Sequence, residues 1–392
     1  MKKILFMAIN MNVGGTEKAL LTMLNAFPKE KCKITVLLLE ESGGFLDQIP
    51  EWVQLKYVNE YKELKKYINE PPQKLVKELL KDREYINAFK LSLNYFISKI
   101  KDDISYYYEY LLKNVDNLEE EYDIAVAYAG PMDFITYFIS SKIRAKKKVQ
   151  WIHFDISKIG FNKKFAEKMY SKFNKIFVVS KEGKNKLNSL IPSLSDKTEI
   201  FSNIISSNFV KKMAEYEEGF NDNFSGIRIL TVGRISKEKG QDITVSVLER
   251  LREEGHEVKW YCIGEGSMKK ELEDMIKNRN IQENYILLGV KTNPYPFMKE
   301  CDIYVQPSRH EGYCITLAEA RCFNNPIVTT NFTGASEQIK NEKTGLIVNF
   351  NEIEMYDAIK RIIIDKNLRD SIKNNLAEDF VDTTREIDKL NF

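Results

Sequence analysis

The sequence has little of what several classes of protein depend on. Its five cysteines are scattered among 392 residues with no C-x-x-C pair, so we expect buried, reduced thiols in a cytosolic protein. Basic and acidic residues, 59 and 57, nearly cancel, which argues against a nucleic-acid-binding protein. No window approaches the roughly 20 apolar residues of a membrane span, so any membrane contact should be peripheral.

Length and apolar content predict two hydrophobic cores. The chain is 43% hydrophobic, and single cores stop growing at roughly 250 to 300 residues. Its start, MKKILFMAINMNVGG, continues into a Gly-Gly turn and lacks a cleavage site, so we interpret it as a first strand and not as a signal peptide.

An apolar strand, a glycine loop and a helix open the chain. Residues 3–9 form the strand, Gly14 and Gly15 the loop, and 17–27 the helix, which is the beginning of a doubly wound domain. Because G-x-G-x-x-G is absent, a plain βα turn is the alternative to a ligand-binding loop.

Residues 60–120 interrupt this alternation with helical segments rich in Lys, Glu and Tyr. Two interpretations stay open for their apolar residues: packing on their own domain, or a face for lipid headgroups. The latter would combine Leu91, Leu93, Tyr95, Phe96, Ile97 and Ile100 with Lys90, Lys99 and Lys101.

A basic run and a histidine follow the next strands. The segment 144–149, RAKKKV, and the lysines after it would suit an anionic bilayer, although a solvated face is the usual explanation; these lysines are Lys158, Lys163, Lys164, Lys168 and Lys172. His153 ends an apolar strand and is one of only three histidines. It is either a satisfied core residue or a cleft residue.

The loop 233–240, GRISKEKG, follows a strand at 228–232. Arg234 offers a bidentate grip on phosphate oxygens and Lys239 a point charge, a pair suited to a diphosphate. Solvated surface charges are the alternative.

The stretch 304–348 contains a second candidate site. Pro307 and Ser308 end a strand, Gly312 allows a tight turn, and a helix is predicted over 315–322. Its first turn would hold an anion on free backbone N–H groups, those of Tyr313, Cys314, Ile315 and Thr316.

Two carboxylates, Glu311 and Glu319, lie on either side of this turn. A carboxylate repels a phosphate, so both are better suited to accept hydrogen bonds from sugar hydroxyls. The alternative makes Glu311 a helix N-terminal charge and Glu319 a solvated helix residue.

This stretch resembles the E-x7-E signature of retaining GT-B glycosyltransferases of family 4. The likeness continues through Pro326, Ile327, Val328 and Gly334 to Thr344, Gly345 and Leu346, and G-R-x-x-x-x-K-G at 233–240 fits it too. It is strong over 228–348, fair at the N-terminal loop and His153, and absent over 60–116.

The resemblance implies a GT-B fold of two Rossmann-like domains and a role for each matching residue. Arg234 and Lys239 would stabilise the leaving diphosphate, Glu311 would hold the sugar, Glu319 the ribose, and His153 the transferred sugar. Further donor contacts are implied for Gly14, Gly15, Gly233, Val290 and Gly312, together with Tyr313, Cys314, Ile315 and Thr316 of the first helical turn. Two cations and a helix terminus would replace a metal, so no metal and no other cofactor is expected.

We predict a first domain over residues 1–205 with a helical insertion at 60–120, a linker at 206–226, and a second domain over 227–376. A C-terminal helix, 377–392, should pack back on the first domain.

The predicted activity is transfer of a hexose or N-acetylhexosamine from a nucleoside diphosphate sugar, with UDP favoured, to a glycan hydroxyl. The acceptor would be lipid-linked, at the inner face of the cell membrane, in surface polysaccharide synthesis. A GT-B nucleotide-sugar 2-epimerase and a non-catalytic nucleotide-sugar-binding subunit are the alternatives.

Overall fold

Two parallel β-sheets organise the chain in the computed structural model, which describes residues 1–157, 160–379 and 381–391. The seven-stranded sheet contains β1 (Lys2–Ala8), β2 (Cys32–Leu38), β3 (Gln54–Tyr57), β4 (Glu121–Ala127), β5 (Arg144–Ile152), β6 (Lys175–Val178) and β7 (Thr198–Ile200). The six-stranded sheet contains β8 (Ile227–Val232), β9 (Val258–Ile263), β10 (Tyr285–Leu287), β11 (Ile303–Gln306), β12 (Ile327–Thr330) and β13 (Leu346–Val348).

Helices connect these strands and cover the sheets. In the first half of the chain they are α1 (Gly15–Ala26), α2 (Tyr61–Asn69), α3 (Pro72–Lys81), α4 (Tyr85–Ile100), α5 (Ser105–Leu111), α6 (Asp133–Lys142), α7 (Lys163–Tyr170) and α8 (Lys181–Leu190). In the second half they are α9 (Ser207–Met213), α10 (Asp242–Glu253), α11 (Lys269–Asn278), α12 (Tyr295–Glu300), α13 (Ile315–Ala320), α14 (Ala335–Gln338), α15 (Glu352–Ile364) and α16 (Lys366–Glu378). None of these described helices is long and apolar enough to cross a bilayer.

The contacts divide the chain into two compact units. The first unit comprises Met1–Asn12, Phe27–Val179 and Lys184–Phe201, and the second comprises Val13–Ala26, Ser180–Gly183 and Ser202–Phe392. The domain limits predicted from the sequence stay predictions, and Phe380 and Phe392 of the predicted C-terminal helix lie outside the described residues. The tail forms a 3-10 helix, Thr384–Asn391, and within the second unit the Glu386 carboxylate accepts a hydrogen bond from the Ser202 amide.

Strand order in both sheets is that of a doubly wound fold. The first sheet runs β3-β2-β1-β4-β5-β6-β7 and the second β10-β9-β8-β11-β12-β13. In each, the order reverses once, between β1 and β4 and between β8 and β11, and such a reversal opens a crevice at the carboxyl ends of the strands. The predicted pair of doubly wound α/β units is therefore confirmed.

Apolar residues on both faces of β8 explain why the second sheet is buried on both sides. Ile229 packs into one hydrophobic cluster and Leu230 into the other, so consecutive residues face opposite helix layers. A parallel sheet covered on both faces requires such a continuous apolar run.

The predicted helical insertion is also confirmed. Helices α2 to α5 lie between β3 and β4, and α3, α4 and α5 share a small core of Leu75, Leu79, Ala88, Leu91, Tyr107 and Leu111. Leu91 is buried in this core, so for this residue packing on its own domain is confirmed and the alternative of a lipid-facing surface is wrong.

The basic run 144–149 is part of a strand, β5. Arg144 begins β5 and lies opposite Glu121 in the register of the neighbouring strand β4. The Lys146 ammonium donates to Asp123 at 2.8 Å. Of the lysines that follow, Lys164 pairs with Asp102 and Lys168 with Asp103, whereas Lys158 lies outside the described residues. Much of this charge is therefore neutralised within the protein.

Candidate functional site

Two loops meet at the crevice between β8 and β11 in the second unit. The first, residues 233–241, follows β8, and the second, residues 307–314, follows β11. Gly240 has a φ of +70°, and a Cβ atom there would lie 2.1 Å from the Pro307 carbonyl oxygen. The Arg309 amide donates to the Glu238 carbonyl at 2.7 Å. The backbones of the loops therefore approach as closely as atoms allow, which requires glycine at position 240.

An arginine that sequence reasoning missed joins the same loops. The Arg309 guanidinium donates to both Asp242 oxygens, at 2.7 and 2.5 Å, and to the Lys237 carbonyl oxygen at 2.7 Å. Its other side lies against the Phe350 ring, 4.0 Å from the centroid. Because the planar guanidinium forms hydrogen bonds and also stacks on an aromatic ring, it holds the two loops in one arrangement.

Lys239 and Glu311, one from each loop, form an ion pair. Lys239 Nζ lies 2.5 Å from Glu311 Oε1, and both side chains are mostly buried. Burial alone would lower the pKa of Lys239, but the charge and hydrogen bond of Glu311, together with the field of Cys314, outweigh it and the pKa is raised. The ammonium is therefore fully charged at neutral pH.

A buried polar chain supports Glu311 from the strand. Tyr304 OH donates to Gln306 Oε1 at 2.8 Å, Gln306 Nε2 donates to Ser308 Oγ at 2.9 Å, and Ser308 Oγ donates to Glu311 Oε1 at 2.8 Å. Thr316 Oγ1 also donates to Gln306 Oε1, at 3.2 Å. The sequence signal was a glutamine and a serine at the end of an apolar strand, where buried polar side chains must find partners.

Glu319 lies inside the second unit, so the alternative of a solvated helix residue is wrong. Its side chain is 2% exposed, and it accepts a hydrogen bond from Tyr295 OH at 2.6 Å. Burial raises the pKa of Glu319, while the Lys18 charge and the Tyr295 hydroxyl oppose the shift. Lys18 Nζ lies 5.1 Å from the centroid of the Tyr295 ring. Lys18 was not predicted and had no local signal.

The predicted anion-binding turn starts where the sequence placed it. Helix α13 begins at Ile315 but ends at Ala320, and a 3-10 turn, Arg321–Phe323, replaces its predicted end at 322. Cys314 precedes the helix with a φ of 63°. Gln338 Nε2 donates to the carbonyl oxygens of Tyr313 and Cys314, which fixes this turn from a neighbouring helix.

The remaining predicted donor residues lie at strand and helix ends of the second unit. Arg234 is 64% exposed and pairs with Glu238 at 3.1 Å. A Cβ on Gly233 would meet the Lys239 side chain at 3.7 Å, and Gly312 is buried. Val290 is half exposed and follows Gly289, whose carbonyl accepts from the Gly264 amide at 2.8 Å.

The glycine loop lies at the start of α1. The Gly14 carbonyl accepts from the Lys18 amide at 2.9 Å, and open space surrounds Gly15. Burial raises the pKa of Glu17, in the first turn, and the Arg234 charge opposes this shift. A third residue missed from the sequence, Glu17, therefore lies within the field of Arg234.

His153 lies in the first unit, directly after β5. Its ring stacks on Trp151 at 6.0 Å and meets the Tyr128 ring edge-on at 4.5 Å. Burial lowers the pKa of His153 to about 3, so the imidazole is neutral, and its buried Nε2 has no hydrogen-bond partner among the described residues. Asp155, two residues on, accepts from Lys186 at 2.8 Å.

The second unit thus holds thirteen of the fourteen predicted site residues. Its crevice combines two cations and two carboxylates with a helix N-terminus. Across the described ranges, no group of three or more His, Cys, Asp or Glu side chains is placed to hold a metal ion.

Comparison with known proteins places this crevice in a recognised domain. Residues 215–379 match the family model of glycosyl transferases group 1. An α-N-acetylgalactosaminyltransferase of Campylobacter jejuni, acting on a diphospho-undecaprenol-linked glycan by its name, is 31% identical over 207 residues, 52% of this chain and 55% of that protein. The poly(ribitol-phosphate) α-N-acetylglucosaminyltransferase of Staphylococcus aureus is 23% identical over 71% of this chain and 54% of its own length.

Solved structures share the fold of the whole chain. HepE of Anabaena, in complex with UDP and glucose, has a TM-score of 0.72 at 17% identity, covering 100% of this chain and 98% of that one. TarM of S. aureus, in a complex that includes UDP, has a TM-score of 0.70 at 17% identity, covering 100% and 99%. The chain spans about half the length of the curated relatives it matches. The fold is therefore that of GT-B glycosyltransferases, and residues 215–379 match the glycosyl transferases group 1 model.

Proposed function

We propose that this protein is a family 4 glycosyltransferase that moves a hexose or N-acetylhexosamine from a UDP-sugar to a glycan hydroxyl, with retention of anomeric configuration. The observation that carries the proposal is the buried Lys239–Glu311 pair at the strand-order reversal of a glycosyl transferases group 1 domain. A cation held there suits a diphosphate, and a carboxylate beside it suits sugar hydroxyls.

The donor would lie along the carboxyl ends of β8 to β11. Lys239, Arg234 and the first-turn amides of α13 bind the diphosphate, while Glu311 accepts from the sugar hydroxyls. Glu319 accepts from the ribose, and the backbone near Val290 contacts the base. The named UDP complex of HepE supports the choice of nucleotide.

Catalysis would rest on stabilising the leaving diphosphate. The departing phosphate oxygen removes the acceptor proton on the same face of the sugar, so no side-chain nucleophile is needed. Burial raises the pKa of the nearby Cys314 thiol to about 12, so this sulfur stays protonated and is a poor nucleophile. Arg234 and Lys239 stabilise the charge of the leaving diphosphate in place of a metal ion, and the reaction proceeds without one.

The acceptor would be a lipid-linked glycan in surface polysaccharide synthesis, reached from the cytoplasmic face of an anionic membrane. The Campylobacter relative supports this choice, because its name specifies a diphospho-undecaprenol acceptor. The contact of His153 with the transferred sugar is proposed from the family resemblance alone; its imidazole is neutral, because burial lowers its pKa to about 3.

Incubation with labelled UDP-sugars and a polyprenyl-diphosphate glycan, in the presence of EDTA, tests the proposal. Transfer with an α-linked product from an α-linked donor is the expected result. Isomerised donor would instead identify an epimerase. Tight binding of the donor without turnover would identify a non-catalytic subunit. Loss of transfer with EDTA that Mn²⁺ restores would contradict the metal-free mechanism.

A further inference from the structure

Helix α4 carries a line of large apolar side chains that face away from the protein. Ile86, Phe89, Leu93, Phe96 and Ile100 are 70%, 68%, 43%, 61% and 69% exposed. Their spacing alternates between three and four residues, so they form a single stripe along the helix. We call these five residues the α4 stripe.

The stripe is not a by-product of core packing. The opposite side of α4, with Ala88, Leu91 and Ser98, already packs against the rest of the helical insertion. Within the described residues, six of the sixteen exposed large hydrophobic side chains belong to this one helix, because Tyr85 is exposed as well. A concentrated exposed apolar surface marks an interaction site.

The charges on α4 itself all have one sign, and the two acids just before it, Asp82 and Glu84, are outnumbered by the basic residues of 81–101. Residues 85–101 contain Lys90, Lys99 and Lys101 and no aspartate or glutamate. Lys99 lies over the Tyr95 ring and Lys101 over the Tyr106 ring, and none of the three forms an ion pair with a described residue. The acids just after the helix are neutralised, Asp102 by Lys164 and Asp103 by Lys168, each at 2.5 Å.

This charge pattern decides between two occupants of the stripe. A second copy of α4 would bring a surface of net positive charge against itself, because residues 81–101 hold five basic residues and only two acids, and this opposes association. An anionic lipid surface complements the lysines and also accepts the apolar side chains. We propose that α4 is the membrane-binding surface of this protein, lying in the headgroup layer of an anionic bilayer with the α4 stripe inserted. The inference refines the membrane contact of the proposed function, and its test uses no sugar nucleotide.

Vesicle flotation of the full chain tests this surface. The protein should float with phosphatidylcholine vesicles that contain phosphatidylglycerol and bind at least about tenfold more weakly to pure phosphatidylcholine. Phe89→Ser with Phe96→Ser should reduce binding to the anionic vesicles by more than about tenfold. The matched control is Ile353→Ser with Ile364→Ser, two side chains of similar exposure on α15, which should bind like wild type.

A charge series tests the lysines separately. Each lysine near an anionic surface is worth about a fivefold gain in binding, so Lys90, Lys99 and Lys101 changed together to glutamine should weaken it by about a hundredfold. Glutamine at the exposed Lys29, Lys31 and Lys270 should have little effect. High salt should weaken wild-type binding in the same direction.

Three outcomes would overturn the proposal. They are flotation of the double serine variant at the wild-type level, equal binding to both vesicle types, and a wild-type dimer in sedimentation that the serine changes dissociate. Thermal unfolding and UDP titration are measured on the same samples. A variant that binds UDP but no vesicles has lost only this surface, whereas a wild type that binds vesicles but no UDP refutes the proposed function alone.

Discussion

The Lys239 ammonium is hydrogen-bonded to Glu311 Oε1 at 2.5 Å, although the two residues belong to loops that follow different strands. Without a donor the two charges neutralise each other, which allows both to be mostly buried. A diphosphate would compete with Glu311 for Lys239 and so release the carboxylate to the sugar. Donor binding and carboxylate positioning are then one event.

Lys239→Ala should lower turnover by roughly 10² to 10³, the cost of losing one preorganised charge at the leaving group. Glu311 keeps its hydrogen bond from Ser308 Oγ at 2.8 Å, so the fold should persist. The matched control is Lys237→Ala, because this neighbouring exposed lysine joins the loop contact only through its backbone carbonyl. Steady-state transfer assays, with circular dichroism for the fold, measure both. A Lys239→Ala variant within about threefold of wild type would remove this lysine from the mechanism.

Gly240→Ala should destabilise the second unit more than Gly255→Ala. Both glycines have a positive φ, +70° and +85°, so both alanines incur the left-handed cost of about 1 to 2 kcal/mol. Only at position 240 does the new Cβ meet a backbone atom, the Pro307 oxygen at 2.1 Å; nothing lies within 4 Å at position 255. We expect a further loss of about 2 kcal/mol, measured by urea unfolding. Equal losses would show that the two loops separate at little cost.

Arg309→Lys should cost about 1 to 2 kcal/mol of stability, because lysine cannot bond both Asp242 oxygens and stack on Phe350 together. Arg361→Lys is the control. Arg361 also bonds both oxygens of a glutamate, Glu342, at 2.9 Å, but the pair is half exposed, so its loss should stay within about 0.5 kcal/mol. Thermal unfolding of the two variants gives the comparison. Similar small losses would mean that Arg309 does not hold the loops together.

Local patterns were enough to predict the strands and the ends of loops in the second unit. The apolar runs became β8 and β11, and the charged residues after them, Lys239 and Glu311, lie where parallel strands end. Glycine at position 240 and the helix start at Ile315 are also local signals. Each of these features depends on a few consecutive residues.

Pairings between distant residues could not be predicted in this way. Arg309 and Asp242 are far apart in sequence, and nothing local distinguishes Arg309 from a solvated arginine. Leu91 and Leu93 appeared equivalent on an apolar helix, and only the packing of α4 shows that Leu91 is buried and Leu93 exposed. The lysines at the start of β5 gave no apolar signal for a strand. These residues are in a strand because they pair with β4, a partner distant in sequence.

The stability of the protein should fall as the pH decreases from 6.5 toward the pKa of His153 in the folded state. Burial lowers its pKa to about 3, from the usual 6.5, so between these values the unfolded chain binds one more proton at this residue than the folded chain. The free energy of unfolding therefore decreases with falling pH, by at most about 1.4 kcal/mol per pH unit. His153→Gln should remove this contribution, so the difference between variant and wild type should change below pH 6.5 and stay constant above it. Urea unfolding across this range checks the slope, and a constant difference would show that the imidazole titrates alike in both states.

Glu319 and Glu311 should show different roles when UDP binding and sugar transfer are measured individually. If Glu319 accepts from the ribose, Glu319→Gln should weaken UDP by about tenfold, since a neutral hydrogen bond replaces a charge-assisted one. The Tyr295 hydroxyl, 2.6 Å from Glu319 Oε1, can still donate to the amide oxygen, so the pocket keeps its shape.

Glu311→Gln should leave UDP affinity within about threefold while transfer falls strongly. This change frees Lys239 from its partner for the diphosphate, and UDP has no sugar whose contact could be lost. Isothermal titration of UDP and of the intact donor into both variants, beside the transfer assay, makes the distinction. Equal losses of UDP affinity in the two variants would mean that Glu311 and Glu319 act as one electrostatic unit and do not bind sugar and ribose separately.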